Sequence, residues 1–359
     1  MNKTYKTLIS FGAVVLLGGI LSAQEVKVKS ISLKSFPEIK LILSVENKWG
    51  APVPVDTSKL MLFEQKRRIE GLDVVPQDSL ASPIYTVIVL DKSGSMRGDP
   101  IAAARNGAIE FIKGMKGSDQ AAYIVFDTRV DLISEFTPDR DVLTSQVEKT
   151  ETGTDTALLD AVFQGLELQA KAPANAVKIV LALTDGKENR SKHKLDEVTD
   201  KARAASVSIY TIGLGTQIDD SMLKDMASKT EANYYHAPVP ADLVDIYRRV
   251  SLLLHSQLMA TFTTPFPMDD TWHALRIAIP YMGREISGEK PYLSAKESKI
   301  PAELIFKINE EQAKEKERVA RAAKDARTKQ QKTQLIALGG AAVVLSLFLL
   351  LLLALKKKR

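Results

Sequence analysis

The sequence predicts an α/β protein in which a doubly wound, mostly parallel sheet is inserted into a small β-sandwich. A helical stalk and one C-terminal transmembrane helix follow. Three observations predict this architecture. Residues 83–256 alternate continuous apolar runs with helical patterns, residues 24–82 and 257–300 contain short strands, and Leu335 to Leu355 carry no charge. A chain of 359 residues is long enough for about two domains.

Residues 1–23 have the pattern of a secretory signal peptide. Lys3 and Lys6 precede an uncharged apolar stretch, which ends at the small residues Ser22-Ala23. We expect cleavage after Ala23 and export of the rest of the chain. An uncleaved N-terminal anchor is the alternative, because Leu21 is an unusual residue three positions before the cleavage point.

The two flanks of the insert read as β-structure. Residues 39–46 alternate apolar and polar side chains, which is the period of a strand with one buried face, and Ser44 and Glu46 belong to its polar face. Short strands are also expected at Leu258–Thr263 and Leu275–Ile279. We therefore predict one sandwich assembled from residues 24–82 and 257–300. Its core should contain the large aromatic residues of both flanks, namely Phe36, Trp49, Phe262, Phe266 and Trp272.

The insert shows the apolar runs of strands that are covered on both faces. The predicted strands are Ile84–Leu90, Ala121–Phe126, Val177–Leu183 and Val207–Ile212. Helices are expected near residues 100–113, 157–170, 194–205, 219–228 and 240–255. The pair Asp99-Pro100 predicts a helix start, with Asp99 as the N-cap and proline in the first helical position.

The C-terminal region addresses a membrane. Residues 301–334 predict a solvated helical stalk, with oppositely charged residues four positions apart, although a polybasic lipid-binding stretch is an alternative. The 21 residues 335–355 are long enough to cross about 30 Å of hydrocarbon as a helix. Residues 356–359 form a basic cytoplasmic tail. The expected product is a single-pass membrane protein with its globular part in the periplasm or on the cell surface.

Composition excludes several classes of function. Of 49 basic residues, six lie at the two termini, which leaves 43 against 44 acidic residues in the body of the chain. The basic isoelectric point therefore does not predict nucleic-acid binding. The absence of cysteine excludes disulfides, thiolate metal sites and cysteine nucleophiles.

Three segments carry oxygen ligands to one edge of the predicted parallel sheet. The segment Asp91-Lys92-Ser93-Gly94-Ser95 follows the first strand, Gly153-Thr154-Asp155-Thr156 precedes a helix, and Leu183-Thr184-Asp185-Gly186 ends a buried strand. The carboxyl ends of parallel strands form the ligand-binding edge of open α/β sheets. A single D-x-S-x-S string is as consistent with an ordinary turn, but three such loops at one edge predict a binding site.

These segments closely resemble the metal-ion-dependent adhesion site of the von Willebrand factor type A family. Segments 183–189 and 210–215 also follow the family's order, and the resemblance covers residues 83–256. It implies that Ser93, Ser95 and Thr154 coordinate a metal ion through their hydroxyls, with Thr154 doing so in the ligand-ready state. It also implies that Asp91 and Asp185 hold coordinated waters or touch the ion. Oxygen ligands without histidine or cysteine favour Mg²⁺, with Mn²⁺ as a substitute.

The resemblance implies a binding protein. We expect no enzymatic activity, because Asp91-x-Ser93 lacks the second Asp of the D-x-D phosphatases and the sequence has no G-x-S-x-G elbow and no P-loop. We expect the metal ion to capture an Asp or Glu carboxylate of a partner protein. Alternatives are a domain that has lost its metal, a scaffold of a bacterial envelope complex assembled through the stalk and membrane helix, and a subunit of an enzyme whose catalytic partner is another chain. The tripeptide Arg97-Gly98-Asp99 is discounted as an adhesion motif because Asp99 is expected to cap a helix. The scattered histidines suggest no zinc site or catalytic triad.

Overall fold

The computed structural model of the chain describes residues 24–76, 82–173 and 175–295. The chain divides into two units, residues 1–299 and 300–359, and every described residue belongs to the first unit. The predicted signal peptide, stalk, transmembrane helix and cytoplasmic tail lie outside the described residues. Within the described ranges, no helix has the length and apolar character needed to cross a bilayer.

The described part of the chain contains fourteen β-strands in three sheets and six α-helices. The strands are β1 (Gln24–Ser35), β2 (Glu38–Asn47), β3 (Met61–Glu64), β4 (Arg67–Ile69), β5 (Asp73–Pro76), β6 (Ile84–Asp91), β7 (Gln120–Phe126), β8 (Val130–Thr137), β9 (Val177–Thr184), β10 (Val207–Leu214), β11 (Tyr234–Ala237), β12 (Leu258–Thr263), β13 (Trp272–Tyr281) and β14 (Arg284–Leu293). The helices are α1 (Asp99–Gly114), α2 (Arg140–Glu148), α3 (Leu158–Leu168), α4 (Leu195–Ala204), α5 (Asp220–Lys229) and α6 (Leu243–His255).

The central sheet is doubly wound, as the sequence predicts. Its strand order is β11-β10-β9-β6-β7-β8, and every neighbouring pair is parallel except β7 and β8. Helices α1, α2 and α6 cover one face, and α3, α4 and α5 cover the other. All eight residues of β6 are buried, which explains their continuous apolar run. The carboxyl ends of β6, β7 and β9 are consequently neighbours at one edge of the sheet.

The two flanks form the predicted sandwich. Its sheets have the orders β1-β2-β12-β5 and β14-β13-β3-β4, and their inward side chains share one apolar core. Strands β5 and β12, which lead into and out of the central sheet, pair antiparallel with each other. The edge strands β1 and β14 approach closely at Gly288, where a Cβ atom would lie 1.8 Å from the carbonyl oxygen of Val26. Only glycine fits that contact.

A buried ion-pair cluster joins the sandwich to the central sheet. Glu46 of β2 is fully buried, and its carboxylate lies 3.0 Å from Lys29 Nζ and 2.9 Å from Lys27 Nζ. It also accepts hydrogen bonds from Ser44 Oγ at 2.5 Å and from Asn233 Nδ2 at 2.7 Å. Burial opposes the charge, but the two lysines and these hydrogen bonds lower the pKa of Glu46 to about 2. The polar face of β2 is therefore an interface rather than a solvated surface.

Two elements at one side of the central sheet are missing from the sequence prediction. Strand β8 and helix α2 form the antiparallel edge of the sheet and one of its covering helices. Strand β8 is interrupted by irregular pairing with β7, and its exposed residues include Leu132 and Ile133. An edge strand with apolar residues on both faces lacks the alternation on which sequence analysis depends.

Three residue-level predictions are wrong. Asp99 is the first residue of α1 rather than its N-cap, because the chain enters the helix through Gly98 at a φ of 89° without a side-chain cap. Among the aromatic residues predicted in the sandwich core, Trp49 is 60% exposed and Trp272 is 42% exposed, whereas Phe262 is buried. Trp49 lies in the turn after β2 and Trp272 begins β13. Neither position faces the space between the two sheets.

Candidate metal centre

The first loop of the site begins with a buried carboxyl group. Asp91 ends β6, and its Oδ1 accepts a hydrogen bond from the backbone N–H of Ser93 at 2.7 Å. Its Oδ2 accepts a hydrogen bond from Thr184 Oγ1 at 2.5 Å. Burial raises the pKa of Asp91 to about 6, even though these hydrogen bonds lower it. Within the described residues, no cationic side chain is paired with this carboxyl group.

Ser93 and Ser95 connect the first loop to the third. Their Oγ atoms lie 3.2 Å apart, and Ser95 Oγ donates a hydrogen bond to Asp185 Oδ1 at 2.6 Å. Burial raises the pKa of Asp185, although the hydrogen bond from Ser95 opposes this. Ser93 is buried and Ser95 is exposed, so the pair leads from the interior of the sheet to its surface.

The second loop reaches the first through its backbone. The N–H of Gly94 donates to the carbonyl of Thr154 at 2.7 Å, and the N–H of Gly153 donates to the carbonyl of Lys92 at 2.5 Å. The Thr154 hydroxyl is 2.5 Å from the hydroxyl of Thr128, in the turn between β7 and β8. Thr154 therefore lies beside the Ser93/Ser95 loop, but its side chain makes its hydrogen bond to Thr128.

A lysine of the first loop points away from Asp91. Lys92 Nζ lies 3.1 Å from Asp131 Oδ2 and 3.6 Å from Asp127 Oδ2, both on the β7–β8 hairpin. At Gly153, a Cβ atom would lie 1.9 Å from Asp127 Oδ2, so glycine allows this hairpin to pack against the second loop. The ammonium group of Lys92 consequently pairs with carboxylates of the β7–β8 hairpin and does not neutralise Asp91.

Side chains of the third loop fix it to the second. Asn189 and Thr156 exchange two hydrogen bonds of 3.2 Å, one from each backbone N–H. Glu188 Oε2 accepts from the N–H of Leu159 at 3.0 Å, in the first turn of α3. Because a carboxylate at a helix N-terminus satisfies donors that have no partner within the helix, Glu188 stabilises both elements.

The five predicted site residues Asp91, Ser93, Ser95, Thr154 and Asp185 are thus brought to one edge of the sheet by three loops. They are oriented by Thr128, Thr184, Glu188 and Asn189, residues to which the sequence alone assigns no role. Thr184, Glu188 and Asn189 lie in segment 183–189, which carries part of the family resemblance. Their position in that segment is the sequence feature that could have identified them. Thr128 had no signal, because it lies in the turn between β7 and β8, and β8 was not predicted.

Other candidate residues lie elsewhere. His193 stacks on Phe163, His255 faces the carboxylate of Asp119, and His273 lies between the carboxylates of Glu64 and Asp269. Among the residues that the structure describes, no group of three or more histidine or acidic side chains has the arrangement of a metal site. The candidate centre instead combines hydroxyl and carboxyl oxygens. Such a donor set fits a hard divalent cation.

The region that carries these loops is similar to known proteins. A family model described as von Willebrand factor type A domain matches residues 86–249. An uncharacterized protein of Synechocystis sp. is 23% identical over 171 residues, which cover 47% of this chain and 41% of that protein. Inter-alpha-trypsin inhibitor heavy chain H3 of Rattus norvegicus is 26% identical over 172 residues, which cover 44% of this chain and 19% of that protein. The matched region is less than half the length of either relative.

Solved structures with a similar fold include a von Willebrand factor type A protein from Catenulispora acidiphila. That structure has 13% sequence identity and a TM-score of 0.46, and the match covers 75% of this chain and 72% of the other. Proximal thread matrix protein 1 from the mussel byssus, with a zinc-occupied MIDAS motif, has 19% identity and a TM-score of 0.46, covering 54% and 49% of the two chains. The family-model match, together with the doubly wound sheet and the order of the three loops, identifies residues 86–249 of this chain as a von Willebrand factor type A domain.

Proposed function

We propose that this protein captures a partner protein by binding one of the partner's Asp or Glu carboxylates at a divalent metal ion. Asp91, Ser93, Ser95, Thr154 and Asp185 would hold the ion, which we propose to be Mg²⁺, with Mn²⁺ as a substitute. The proposal includes anchorage through residues 335–355, with the globular part in the periplasm or on the cell surface. Domains of this family typically take part in protein–protein interaction.

The observation that carries the proposal is the state of Asp91. Its carboxyl group is buried, it has no cationic partner among the described residues, and burial raises its pKa. A buried carboxylate without a counter-charge is costly, so a cation at this position would stabilise the folded domain. The residues present therefore fit a divalent ion.

The charges of the five proposed ligands determine how much positive charge the ion retains. Ser93, Ser95 and Thr154 contribute neutral hydroxyls, so only the carboxylates of Asp91 and Asp185 can offset the charge of the divalent ion, and they can at most balance it. Bound there, Mg²⁺ would supply an electrophilic position for one more anionic oxygen. Ser95 and Thr154 are exposed, which leaves the outer side of the centre accessible to a partner.

Rigid loops support recognition at this edge. The third loop is fixed by Glu188 and Asn189, and Asp155 pairs with Arg190 at 2.8 Å across the second and third loops. Ligands held by packing and hydrogen bonds lose little conformational entropy when a partner binds. The three loops therefore provide a preorganised surface rather than one that must fold on binding.

The double variant Ser93→Ala with Ser95→Ala tests the proposal, and Ser228→Ala with Ser287→Ala, at exposed positions on α5 and β14, is its control. We expect the first variant to fold but to bind no Mg²⁺ by titration calorimetry. Crosslinking in native membranes should then recover partners from the wild type and the control, and EDTA should abolish this recovery. Capture that survives both EDTA and the Ser93/Ser95 variant would contradict the proposal and leave the stalk and membrane helix as the means of assembly.

A further inference from the structure

Exposed basic residues without a partner surround the candidate metal centre. Arg97 follows Ser95 by two residues in the first loop, and Lys187 follows Asp185 by two residues in the third. Arg129 lies in the β7–β8 turn directly after Thr128, the residue that bonds Thr154. Within the described part of the chain, none of these three cationic side chains forms a hydrogen bond or ion pair. We call Arg97, Arg129 and Lys187 the basic rim.

Most carboxylates of the same loops are already engaged inside the protein. Asp127 and Asp131 face Lys92, and Asp155 pairs with Arg190. Glu188 also accepts hydrogen bonds from two backbone N–H groups of its own loop and from a serine hydroxyl. These acidic groups consequently cannot neutralise the basic rim without breaking existing contacts.

Two exposed carboxylates near the centre are exceptions. Asp99 is the first residue of α1, where the positive end of the helix dipole offsets its charge. Glu151 precedes the second loop and is exposed. Asp131 and Asp155 are also partly exposed, but each is paired with a cation. Among the outward groups that have no hydrogen-bond or ion-pair partner within the described residues, three cations are therefore found beside two carboxylates, one of which is offset by the helix dipole.

The rim is broad because its members follow three neighbouring strands. Arg97 follows β6, Arg129 follows β7 and Lys187 follows β9, and adjacent strands lie about 4.8 Å apart, so the strand ends span about 10 Å. Separated cations suit several carboxylates along one segment better than they suit one small anion.

We infer that the partner's docking segment is an acidic cluster, in which neighbouring carboxylates contact Arg97, Arg129 and Lys187. The inference rests on the proposed function for the central, metal-bound carboxylate. The rim contacts add specificity, because a single carboxylate on a neutral or basic surface would lack them. They also make binding dependent on salt, since exposed charges are screened by ions.

The test uses the full-length chain in detergent and an immobilised polyglutamate peptide, with a polyglutamine peptide of the same length as the neutral probe. The variant is Arg129→Glu with Lys187→Glu. Its control is Lys34→Glu with Lys66→Glu, which changes the net charge equally at exposed positions of the sandwich. In Mg²⁺ at low ionic strength, we expect the rim variant to bind polyglutamate about tenfold more weakly than the wild type and with a weaker salt dependence. The control variant should bind polyglutamate like the wild type. The rim variant should still bind Mg²⁺, at least as tightly as the wild type, because the added carboxylates attract the cation.

The outcomes separate this inference from the proposed function. Equal loss in the rim variant and the control, or wild-type affinity in the rim variant, overturns the inference. Mg²⁺ uptake without retention on polyglutamate also overturns it and leaves the proposed metal site standing. Rim-dependent binding that EDTA does not affect supports the rim and contradicts metal-dependent capture. Binding of a soluble phosphoglycerol head-group analogue that the rim variant loses, without retention on polyglutamate, overturns the inference in favour of a lipid surface.

Discussion

Two buried carboxyl groups in this chain have opposite electrostatic environments. Asp91 and Glu46 are both fully buried at the ends of interior strands. Glu46 is surrounded by two lysines, and its pKa is lowered to about 2, whereas Asp91 has only hydrogen-bond donors, and its pKa is raised to about 6. Glu46 belongs to a completed ion-pair cluster, and Asp91 still lacks a positive charge.

The difference follows from what covers each residue. The turn between α5 and β11 closes over Glu46 and contributes Asn233, so this carboxylate is enclosed at the junction between sandwich and central sheet and lies beside two lysines. The loops around Asp91 close over the carboxyl group but leave Ser95 and Thr154 exposed. A buried carboxylate that is neutralised by lysines, such as Glu46, indicates a structural contact. A buried carboxylate without a cationic partner beside accessible oxygen ligands, such as Asp91, indicates a binding site.

The largest effect should come from removing the completed pair. Glu46→Ala leaves Lys29 and Lys27 without their common partner, and loss of one member of a buried pair costs about 3–5 kcal/mol. Denaturant unfolding measures this free energy. Glu38→Ala, which removes an exposed carboxylate from the same strand, should cost less than about 1 kcal/mol. Similar losses in the two variants would show that Glu46 is not a central contact of the junction.

Lowering the pH should gradually remove the stabilisation that the ionised carboxylate of Glu46 provides. Because the folded pKa of Glu46 lies near 2 and its ordinary value is 4.5, its stabilisation is complete above about pH 4.5 and is lost as the pH falls towards 2. The expected size is on the order of 3 kcal/mol. The free energies of unfolding of the wild type and Glu46→Gln, measured from pH 6 downwards, should converge at about pH 2. A constant difference across this range would contradict the lowered pKa.

Asp91 should respond to metal rather than to mutation alone. Asp91→Asn removes an unpaired buried charge, so the stability without metal should change by no more than about 1 kcal/mol. The wild type should gain about 2–3 kcal/mol at a hundredfold excess of Mg²⁺ over its dissociation constant, and the variant should gain nothing. Thermal unfolding with and without Mg²⁺ measures both effects. Asp225→Asn, an exposed carboxyl change on α5, should keep the full response, and an unresponsive wild type would remove the contrast with Glu46.

The smallest effect should come from removing a hydrogen bond that holds the third loop of the candidate metal centre against the second. Asn189→Ala removes the side-chain hydrogen bond to the backbone of Thr156, at a cost of about 1 kcal/mol. Looser ligands should bind Mg²⁺ several-fold more weakly, which titration calorimetry can detect. Gln217→Ala, at an exposed position after β10, provides the control. Unchanged affinity in Asn189→Ala would show that the third loop does not depend on this contact.

The strands and ligands that could be predicted from the sequence are marked by local features, namely apolar runs and positions at strand ends. The apolar runs of β6, β7, β9 and β10 predict buried parallel strands. Asp91 ends β6, Ser93, Ser95 and Asp185 lie in the loops after β6 and β9, and Thr154 lies in the loop before α3. Trp49 and Trp272 were assigned to the core from their size alone, but a turn and a strand end expose them. Strand β8 has no clear periodicity, so Thr128, which follows β7, could not be assigned in advance.

The sequence by itself determined the buried parallel strands and the loops that carry hydroxyl and carboxyl oxygens, because apolar runs and strand-end position are local properties. Only the tertiary structure decided the environment of each charge. Glu46 reads as a member of a solvated strand face, yet a turn 187 residues away buries it beside two lysines. Lys92 is adjacent to Asp91 in the chain, yet its ammonium group faces Asp131. Burial and pairing depend on contacts between distant segments, and sequence spacing does not record those contacts.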